Sequence, residues 1–441
     1  MRNETTSPDV PEFVVADPAL IPVNGYLANL APIPVSRMFV IKEWLAQYRE
    51  KLPDSPTYDA SQGDGGASLP GVPGALLERA YQLQRDHGTA YDKPFGTDRF
   101  RKALVENYWQ LDAATGWGPQ NAVACEGGRD ALLKAYNAML HLGHGRIGDV
   151  IITSRVPWVS YNWGPYDIGA NVLRAPGRAE EGWQYTEEGL QASVEFAQKA
   201  GGRKVAGLII TSPDNPTGHT LPVERQVALA KYAMGLGVPF VLFDWIYHWV
   251  TADAPVDINA FLTAFTPEER EKVIILDGLT KSLGASNIRS AHLMAAQKVC
   301  KFIQSRASHG VLPSFYSQAV AIAAYEMGYG EAAKSIIGPT NESRVALDAF
   351  LEEHGFNYII GTGGYYAFIN CARWIRAGGL ADSEALSGHL AENYGLAVVA
   401  GVFFSDAGQD WIRFSYALPK EKTLAAAQRL VEGLNALEAG A

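Results

Sequence analysis

Short apolar runs that alternate with helical patterns are the feature of this 441-residue chain that most restricts its fold. Runs rich in β-branched residues recur through the middle of the sequence, at 149–154, 205–211, 238–244 and 273–276. Amphipathic stretches lie between them, for example at 130–142 and 222–236. Buried parallel strands read as continuous apolar runs and are joined by crossover helices. The pattern therefore predicts an α/β domain whose sheet is mostly parallel.

The character of the chain changes after about residue 320. A long helical pattern at 312–353 is followed by strands predicted at 358–360, 365–370, 397–399 and 411–416 and by closing helices, which is an α+β layout. The segment 22–53 contains a helix that we expect to pack with this second region. The predicted divisions are a loose N-terminal tail (1–15), a first segment of a small domain (16–74), a large α/β domain (75–320) and the C-terminal small α+β domain (321–441).

Composition and charge exclude several classes of protein. There are 37 basic and 47 acidic side chains, a formal charge of −10, and no Lys/Arg-rich run that would bind nucleic acid or an anionic membrane. The cysteines Cys125, Cys300 and Cys371 are isolated and lack metal-ligand spacing. The polar, acidic N-terminus does not resemble a signal peptide. We expect a cytoplasmic protein with no metal, no nucleic-acid partner and no membrane partner.

Polar side chains follow the predicted strands at positions where a parallel sheet binds its ligands. Asp244 closes the run 238–244, and a carboxylate buried there needs a cation or a donor. Lys281 and Arg289 both follow the run 273–276. The pair Gly127-Gly128 opens a predicted helix, whose N-terminus can bind an anion.

Each of these features has a structural explanation when taken alone. A lysine is ordinarily a solvated surface residue, and two glycines before a helix also make an ordinary loop. Together they supply an amine for an imine, a carboxylate for a pyridinium proton, and a helix N-terminus with an arginine for a phosphate. Those are the requirements of pyridoxal 5′-phosphate.

From about residue 58 to 434 the chain resembles the aspartate aminotransferase-like (class I/II, fold type I) superfamily of pyridoxal-phosphate enzymes. Its Schiff-base lysine motif resembles Gly278-Leu279-Thr280-Lys281, with the motif's phosphate-binding arginine at Arg289. Its Asn-Pro-Thr-Gly motif resembles residues 215–218, and its Asp-x-x-Tyr motif resembles residues 244–247. The resemblance implies a large domain with a sheet of the seven-stranded type between helices, and a small domain built from both termini.

The resemblance also implies roles for individual residues. Lys281 would form the internal aldimine and move protons, and Asp244 would pair with the pyridine nitrogen. Asn215 and Tyr247 would donate to the cofactor's phenolic oxygen. The residues implied to hold the phosphate are Arg289, Thr280, Gly127, Gly128 and Arg129.

Three further matches extend the implied site. Tyr91 resembles the tyrosine that reaches the phosphate of a neighbouring subunit, which implies a homodimer with shared active sites. Trp158 resembles the aromatic residue that stacks on the pyridine ring, although a core aromatic is the competing interpretation. Arg413 resembles the arginine that binds the substrate α-carboxylate next to Asn215, and a buried structural ion pair is its alternative.

The chain departs from the family pattern at several positions. Gly278 stands where a phosphate-binding serine is common, and Asp214, Trp245, Ser290 and Ala400 stand where other residues are usual. None of these changes removes a reacting group. They favour an unusual substrate pocket.

The predicted function is a pyridoxal-phosphate-dependent aminotransferase that acts on an α-amino acid and a keto acid. The alternative is β- or γ-elimination, replacement or cyclisation in specialised metabolism, on a substrate such as S-adenosylmethionine, and an oxidase also fits these residues. A non-catalytic regulator is disfavoured because the chain has no space for a DNA-binding domain before residue 58.

Overall fold

The computed structural model describes residues 7–15, 33–200 and 202–439. Residues 16–32 of the predicted segment 16–74 therefore lie outside the described residues. The strands are β1 (Glu12–Phe13), β2 (Tyr58–Asp59), β3 (Ala122–Cys125), β4 (Val150–Thr153), β5 (Asn171–Arg174), β6 (Val205–Thr211), β7 (Val241–Asp244), β8 (Val273–Gly278), β9 (Ala291–Ala295), β10 (Tyr358–Ile360), β11 (Tyr366–Asn370), β12 (Leu396–Ala397), β13 (Val399–Ala400) and β14 (Trp411–Ser415).

The helices connect these strands and cover the sheets. They are α1 (Val40–Lys51), α2 (Gly74–His87), α3 (Asp98–Ala103), α4 (Gly128–Leu142), α5 (Val159–Trp163), α6 (Glu187–Lys199), α7 (Val223–Gly235), α8 (Ile258–Thr263), α9 (Pro267–Arg270), α10 (Gln297–Ala307), α11 (Phe315–Met327), α12 (Tyr329–Glu353), α13 (Ala372–Ala377), α14 (Ser383–Tyr394) and α15 (Lys420–Ala439). A π turn, Leu104–Tyr108, follows α3 directly. No helix in the described part of the chain is both long enough and apolar enough to cross a membrane.

The large sheet confirms the predicted α/β class. In the described residues it has eight strands in the order β1-β5-β4-β6-β7-β8-β9-β3. Strands β5, β4, β6, β7 and β8 pair in parallel, whereas β9 runs antiparallel to both of its neighbours. The carboxyl ends of β6, β7 and β8 therefore meet at one edge of the sheet.

Strand β1 differs from the loose tail predicted for residues 1–15. Glu12 and Phe13 pair antiparallel with Arg174 and Leu173 at the edge of the large sheet. The Glu12 carboxylate also accepts a hydrogen bond from Arg174 at 3.0 Å and forms an ion pair with buried Arg155 at 3.2 Å. Two arginines at this edge need a carboxylate, and the N-terminal segment supplies it.

The small domain combines helix α1 and strand β2 with the C-terminal part of the chain. Strands β10, β11, β14 and β13 form an antiparallel sheet, and β12 pairs in parallel with β2. Helix α1 packs on α14, and its Ile41 and Leu45 enter a cluster with Trp411 of β14. A separate core joins Leu351 of α12 to Leu430 of α15.

The predicted domain boundary at residue 320 falls inside α11, which packs on α2 of the large domain. The helical pattern at 312–353 is two helices separated by Gly328, whose φ of 93° ends the first one. The first turns of α12 belong to the core of the large domain through Tyr329, while Leu347 belongs to that of the small domain. The two domains thus meet within one continuous helix, because its packing surface passes from one core to the other.

Candidate active site

A cavity of about 570 Å³ lies at the carboxyl ends of β6, β7 and β8, where the small domain faces the large sheet. Most of the predicted site residues line it, namely Gly128, Arg129, Trp158, Asn215, Asp244, Tyr247, Thr280, Lys281, Arg289 and Arg413. Gly127 lies directly behind Arg289. Tyr91 is outside the cavity, with 95% of its surface exposed. Residues that are far apart in the sequence are thus brought to one place.

Lys281 follows β8 by three residues and reaches into the cavity. Its Nζ donates to the backbone carbonyl of Gly63 at 2.5 Å and lies 5.6 Å from the ring centre of Tyr247. Burial lowers the pKa of the Lys281 amine below its usual range, and the nearby Arg413 guanidinium acts in the same direction. A lowered pKa increases the fraction of neutral amine, which is the nucleophilic and basic form.

Asp244 is the last residue of β7 and is only 3% exposed. Its Oδ2 accepts from the Tyr161 hydroxyl at 2.6 Å, and its Oδ1 accepts from the backbone N–H of Ile246 at 3.1 Å. Burial raises the pKa of this carboxyl to about 6. Tyr161 is itself supported by Thr211, whose hydroxyl donates to it at 3.0 Å. The carboxylate is therefore held in place by hydrogen-bond donors. A buried carboxylate is costly without a cationic partner, and a protonated ring nitrogen in the cavity would be that partner.

Arg413 lies on β14 and is buried, with 3% of its surface exposed. Its Nη1 donates to the Asn215 Oδ1 at 2.8 Å and its Nη2 to the backbone carbonyl of Ser61 at 2.7 Å. The Nε has no hydrogen-bond partner in the described residues. None of the described carboxylates pairs with it, so the competing interpretation of a structural ion pair lacks a partner. The guanidinium is available to a carboxylate that enters the cavity.

Two tyrosines close the wall between the domains. The hydroxyls of Tyr247 and Tyr366 lie 2.9 Å apart, and the Arg413 guanidinium lies 4.1 Å from the ring centre of Tyr366. Burial raises the pKa of Tyr247 well above its usual range, so this hydroxyl stays protonated. It can therefore act as a hydrogen-bond donor in the cavity.

The opposite corner of the cavity is built for an anion. Helix α4 begins at Gly128, and its first backbone N–H groups have no partner within the helix. Arg289 is anchored through its guanidinium to the backbone carbonyls of Ser286 and Glu126, at 2.7 and 3.3 Å. A Cβ at Gly127, where φ is 80°, would lie 2.3 Å from the Arg289 Nη2. Only glycine leaves room for this arginine beside the helix N-terminus.

Thr280 and Gly278 flank this corner on the lysine segment. The Thr280 Oγ1 is buried and has no partner in the described residues. A Cβ at Gly278 would lie 2.7 Å from both the Cα of Ala291 and the backbone carbonyl oxygen of Ser290. Strand β9 thus leaves no space for the serine that is common in the family that the sequence resembles. Thr280 and Ser286 are the hydroxyl-bearing residues beside Arg289 that line the cavity.

Sequence reasoning missed part of the site. The backbone of Ser61 and Gly63, the side chain of Thr211 and the support that Tyr161 gives to Asp244 were not predicted. The glycine-dense stretch 61–66 after β2 is a signal that could have indicated the first two, because glycine allows a close backbone approach. No local signal pairs Tyr161 with Asp244, since 83 residues separate them.

Residues 61–430 match the family model described as aminotransferase class I and II. The chain belongs to this family. It is 23% identical to an aspartate aminotransferase of Geobacillus stearothermophilus over 81% of this chain and 87% of the relative. A probable aspartate/prephenate aminotransferase of Aquifex aeolicus is 25% identical, over 83% of this chain and 87% of the relative.

Solved structures show the same fold. A double mutant of Thermus thermophilus aspartate aminotransferase superposes with a TM-score of 0.78 at 20% identity, over 93% of this chain and 100% of that chain. An aspartate aminotransferase from Thermotoga maritima gives 0.76 at 20% identity, over 91% and 98%. Family and relatives together confirm that the protein is a pyridoxal-phosphate-dependent aminotransferase that acts on amino acids.

The residues present fit this cofactor. The Thr280 Oγ1, the α4 N-terminus and Arg289 match a phosphate, and buried Asp244, which lacks a cationic partner among the described residues, matches a protonated pyridine nitrogen. Lys281 lies in the same cavity with a lowered pKa. In the described part of the chain, no cluster of three or more His, Cys, Asp or Glu side chains could hold a metal ion.

Proposed function

We propose that this aminotransferase takes the amino group from an α-amino acid whose α-carboxylate is bound by Arg413 and whose Cα proton is moved by Lys281. The proposal rests on the burial and the incomplete hydrogen bonding of Arg413. It is a buried guanidinium with an unsatisfied Nε and no described carboxylate partner, in the cavity that contains the Lys281 amine. A buried cation in that state is a binding site for an anionic group.

The side chains divide the remaining work. When bound, pyridoxal phosphate supplies an electron sink for the bond broken at Cα. The Lys281 Nζ would hold the cofactor in the resting enzyme and would take the Cα proton of the substrate. Asp244 would keep the ring nitrogen protonated. Asn215 accepts from Arg413 with its Oδ1, which leaves its amide N–H groups to donate to the phenolic oxygen beside Tyr247.

The phosphate would be held by Arg289, the Thr280 hydroxyl and the first amides of α4 at Gly128 and Arg129. Trp158 precedes α5 and contributes its ring to the cavity wall, where it can stack on the pyridine. The Arg129 guanidinium carbon lies 5.9 Å from the centre of this ring.

Arg129 also supports an acidic substrate. Its side chain is exposed, forms no ion pair with any described residue, and borders both the first cavity and a second one of about 610 Å³. Met38 and Leu132 line both cavities as well. We propose that Arg129 receives the distal carboxylate of a dicarboxylic amino acid, in line with the relatives named for aspartate.

The test is a single-turnover assay of the holoenzyme with one amino acid at a time and no keto acid. The panel includes aspartate, glutamate, alanine, phenylalanine and S-adenosylmethionine. We expect aspartate or glutamate to release one equivalent of its keto acid, detected by mass, with the cofactor recovered as its amine. Loss, exchange or cyclisation of a side-chain fragment would instead support elimination, replacement or cyclisation.

Two variants separate the two arginines in a steady-state assay, with a keto acid added as the amino acceptor. Arg129→Met should raise the KM for aspartate much more than that for alanine, because only aspartate has a distal carboxylate. Arg413→Met should raise the KM for both, because both have an α-carboxylate. If Arg129→Met leaves the KM for aspartate unchanged, the acidic substrate class is wrong.

We further propose a homodimer in which Tyr91 of each copy reaches the phosphate of the other. The support is the family resemblance and the position of Tyr91, which is 95% exposed and outside its own cavity. Tyr91→Phe should weaken cofactor retention in equilibrium dialysis. A fully active monomer in sedimentation would contradict this proposal.

The three cysteines support a cytoplasmic location. Cys125, Cys300 and Cys371 are all free and buried. Burial raises the pKa of Cys125 and Cys300 to about 12, so these thiols stay unreactive. Free thiols are typical of a reducing compartment. A cell fractionation that finds the protein in a secreted fraction would contradict this location.

A further inference from the structure

A second polar cluster lies on the other face of the large sheet, behind the cavity. It consists of Tyr108, Asp277 and His248, which are 6%, 0% and 3% exposed. Asp277 is the second-to-last residue of β8. The residue before it, Leu276, lines the cavity. Because side chains alternate along a strand, Asp277 points away from the cavity, into the core of the large domain.

The Asp277 carboxylate is fully engaged by donors. Its Oδ2 accepts from the Tyr108 hydroxyl and from the His248 Nε2, the latter at 2.8 Å, and its Oδ1 accepts from the backbone N–H of Gly278 at 2.6 Å. The His248 Nδ1 has no partner in the described residues, so Nε2 is the ring nitrogen that donates to the Asp277 carboxylate. Burial and the Asp277 charge raise the pKa of Tyr108 well above its usual range, so its hydroxyl remains a donor.

The surroundings of the cluster are aromatic and uncharged. Trp109, Trp249, Tyr325 and Tyr329 pack around Tyr108 with ring centres 4.7 to 6.0 Å away. Next to them His292 accepts from the Trp109 Nε1 at 3.0 Å, and burial lowers its pKa to about 4, so it adds no positive charge at neutral pH. A carboxylate in such a place destabilises the fold relative to an apolar side chain. Packing alone therefore does not explain the cluster.

The cluster connects the segments that carry two cavity residues. His248 follows Tyr247 directly, and Asp277 precedes Lys281 by four residues. Tyr108 joins them from the π turn after α3, 169 residues away from Asp277 in the sequence. The hydrogen bond from His248 to the Asp277 carboxylate thus fixes the turn after β7 relative to the segment after β8.

We propose that Tyr108, Asp277 and His248 are positioning residues for the aminotransferase reaction. They lie on the face of the sheet that the core of the large domain covers, which we call the closed face. From there they set the position of the Lys281 amine relative to the Tyr247 hydroxyl on the face that borders the cavity, which we call the open face. The inference rests on the roles given to Lys281 and Tyr247 under Proposed function. Its effect is on the chemical step, because neither segment contributes Arg413 or Arg129 to substrate binding.

A pair of variants at His248 tests the inference. His248→Gln keeps an N–H donor near the place of Nε2, whereas His248→Leu keeps a similar volume and removes the donor. We expect His248→Leu to lower kcat about 10- to 100-fold with the KM for the amino donor unchanged. It should also shift the pH at which the absorbance of the bound cofactor changes. His248→Gln should restore most of kcat and the wild-type pH dependence of the cofactor absorbance.

Tyr108→Phe is the second variant, since it removes one donor and keeps the ring in the core. The matched control is Tyr185→Phe, because the buried Tyr185 hydroxyl donates to the Ile209 carbonyl of β6 at 2.6 Å, away from both segments. All three donor-removing variants should lose thermal stability, and only those at His248 and Tyr108 should lose kcat and shift the titration. If they match Tyr185→Phe in kcat and titration, the cluster has a structural role only. If Lys281→Ala still turns over, the site assignment fails instead.

Discussion

The two faces of the sheet at the ends of β7 and β8 carry two buried carboxylates with opposite surroundings. Asp244 faces a cavity in which the Thr280 Oγ1 and the Arg413 Nε lack partners among the described residues. Asp277 faces a closed aromatic core and receives three hydrogen bonds. Unpartnered polar atoms that border a cavity are typical of a face that binds a ligand. The donors around the Asp277 carboxylate in a closed core suit the positioning role proposed for the other face.

The largest effect is expected from Lys281→Ala on the open face. The variant loses the amine that, in the proposed site, carries the cofactor and moves the Cα proton, so kcat should fall by at least about 10³-fold. Rapid-mixing kinetics with aspartate would measure this loss. Circular dichroism should show an unchanged fold, and turnover near the wild-type rate would remove Lys281 from the site.

Asp244→Asn should have the next largest effect, with kcat lowered about 100-fold, because the ring nitrogen would lose the anionic partner that the proposed site gives it. Steady-state kinetics at saturating substrate would measure it. Asn keeps an acceptor for the Tyr161 hydroxyl, so the fold should survive. A variant with an unchanged kcat would show that the charge on this face has no part in the reaction.

The same variant makes a prediction about pH in the absence of cofactor. The pKa of Asp244 is raised from its ordinary 3.8 to about 6, so the folded chain holds this proton more tightly than the unfolded chain. The free energy of unfolding therefore falls as the pH rises from about 4 to about 6. Thermal unfolding of the apoprotein between pH 4 and 7 should show a smaller decline for Asp244→Asn, whereas parallel curves would contradict the raised pKa.

Tyr161→Phe and Tyr108→Phe remove one donor from each face. Loss of the Tyr161 hydrogen bond to Asp244 corresponds to about 1.5 kcal/mol, or about tenfold in kcat. It should also raise the dissociation constant of the cofactor, because Asp244 contacts the cofactor directly in the proposed site. Tyr108→Phe should leave that constant unchanged, and fluorescence titration of the apoproteins distinguishes the two.

Gly278→Ser, at the boundary between the faces, should have the smallest effect on catalysis and a measurable effect on stability. Its side chain would meet β9 at 2.7 Å, so the variant should lose about 1–3 kcal/mol of unfolding free energy. Gly235→Ser is the control, because a Cβ there meets nothing within 4 Å. Tighter cofactor binding without loss of stability would show that β9 can yield and that the serine is absent for another reason.

The sequence predicted what depends on local pattern. Strand β6 and strand β10 begin and end where the apolar runs indicate, and the motif residues from Asn215 to Arg289 lie around one cavity. Strand β1 was missed because two residues carry no periodicity, and its stability comes from Arg155 and Arg174, more than 140 residues away.

The partners of the site residues could not be predicted for the same reason. Arg413 reaches Asn215 across 198 residues and Ser61 across 352 residues, and no pattern within a segment reports such a pair. The cluster behind the cavity has the same property, since Tyr108 carries no motif at all. Sequence patterns indicate which groups a strand end carries, and only the assembled sheet shows which face each group occupies.

Helix α12 connects the two domains and contains a proline between them. Its first turns are fixed in the core of the large domain and its last turns in that of the small domain, with Pro339 between them. Proline has no N–H for a helical hydrogen bond, and its ring clashes with the preceding turn, so the helix bends most easily there. A bend of α12 at Pro339 would change the distance between Arg413 on β14 and Lys281 after β8 while both cores stay intact.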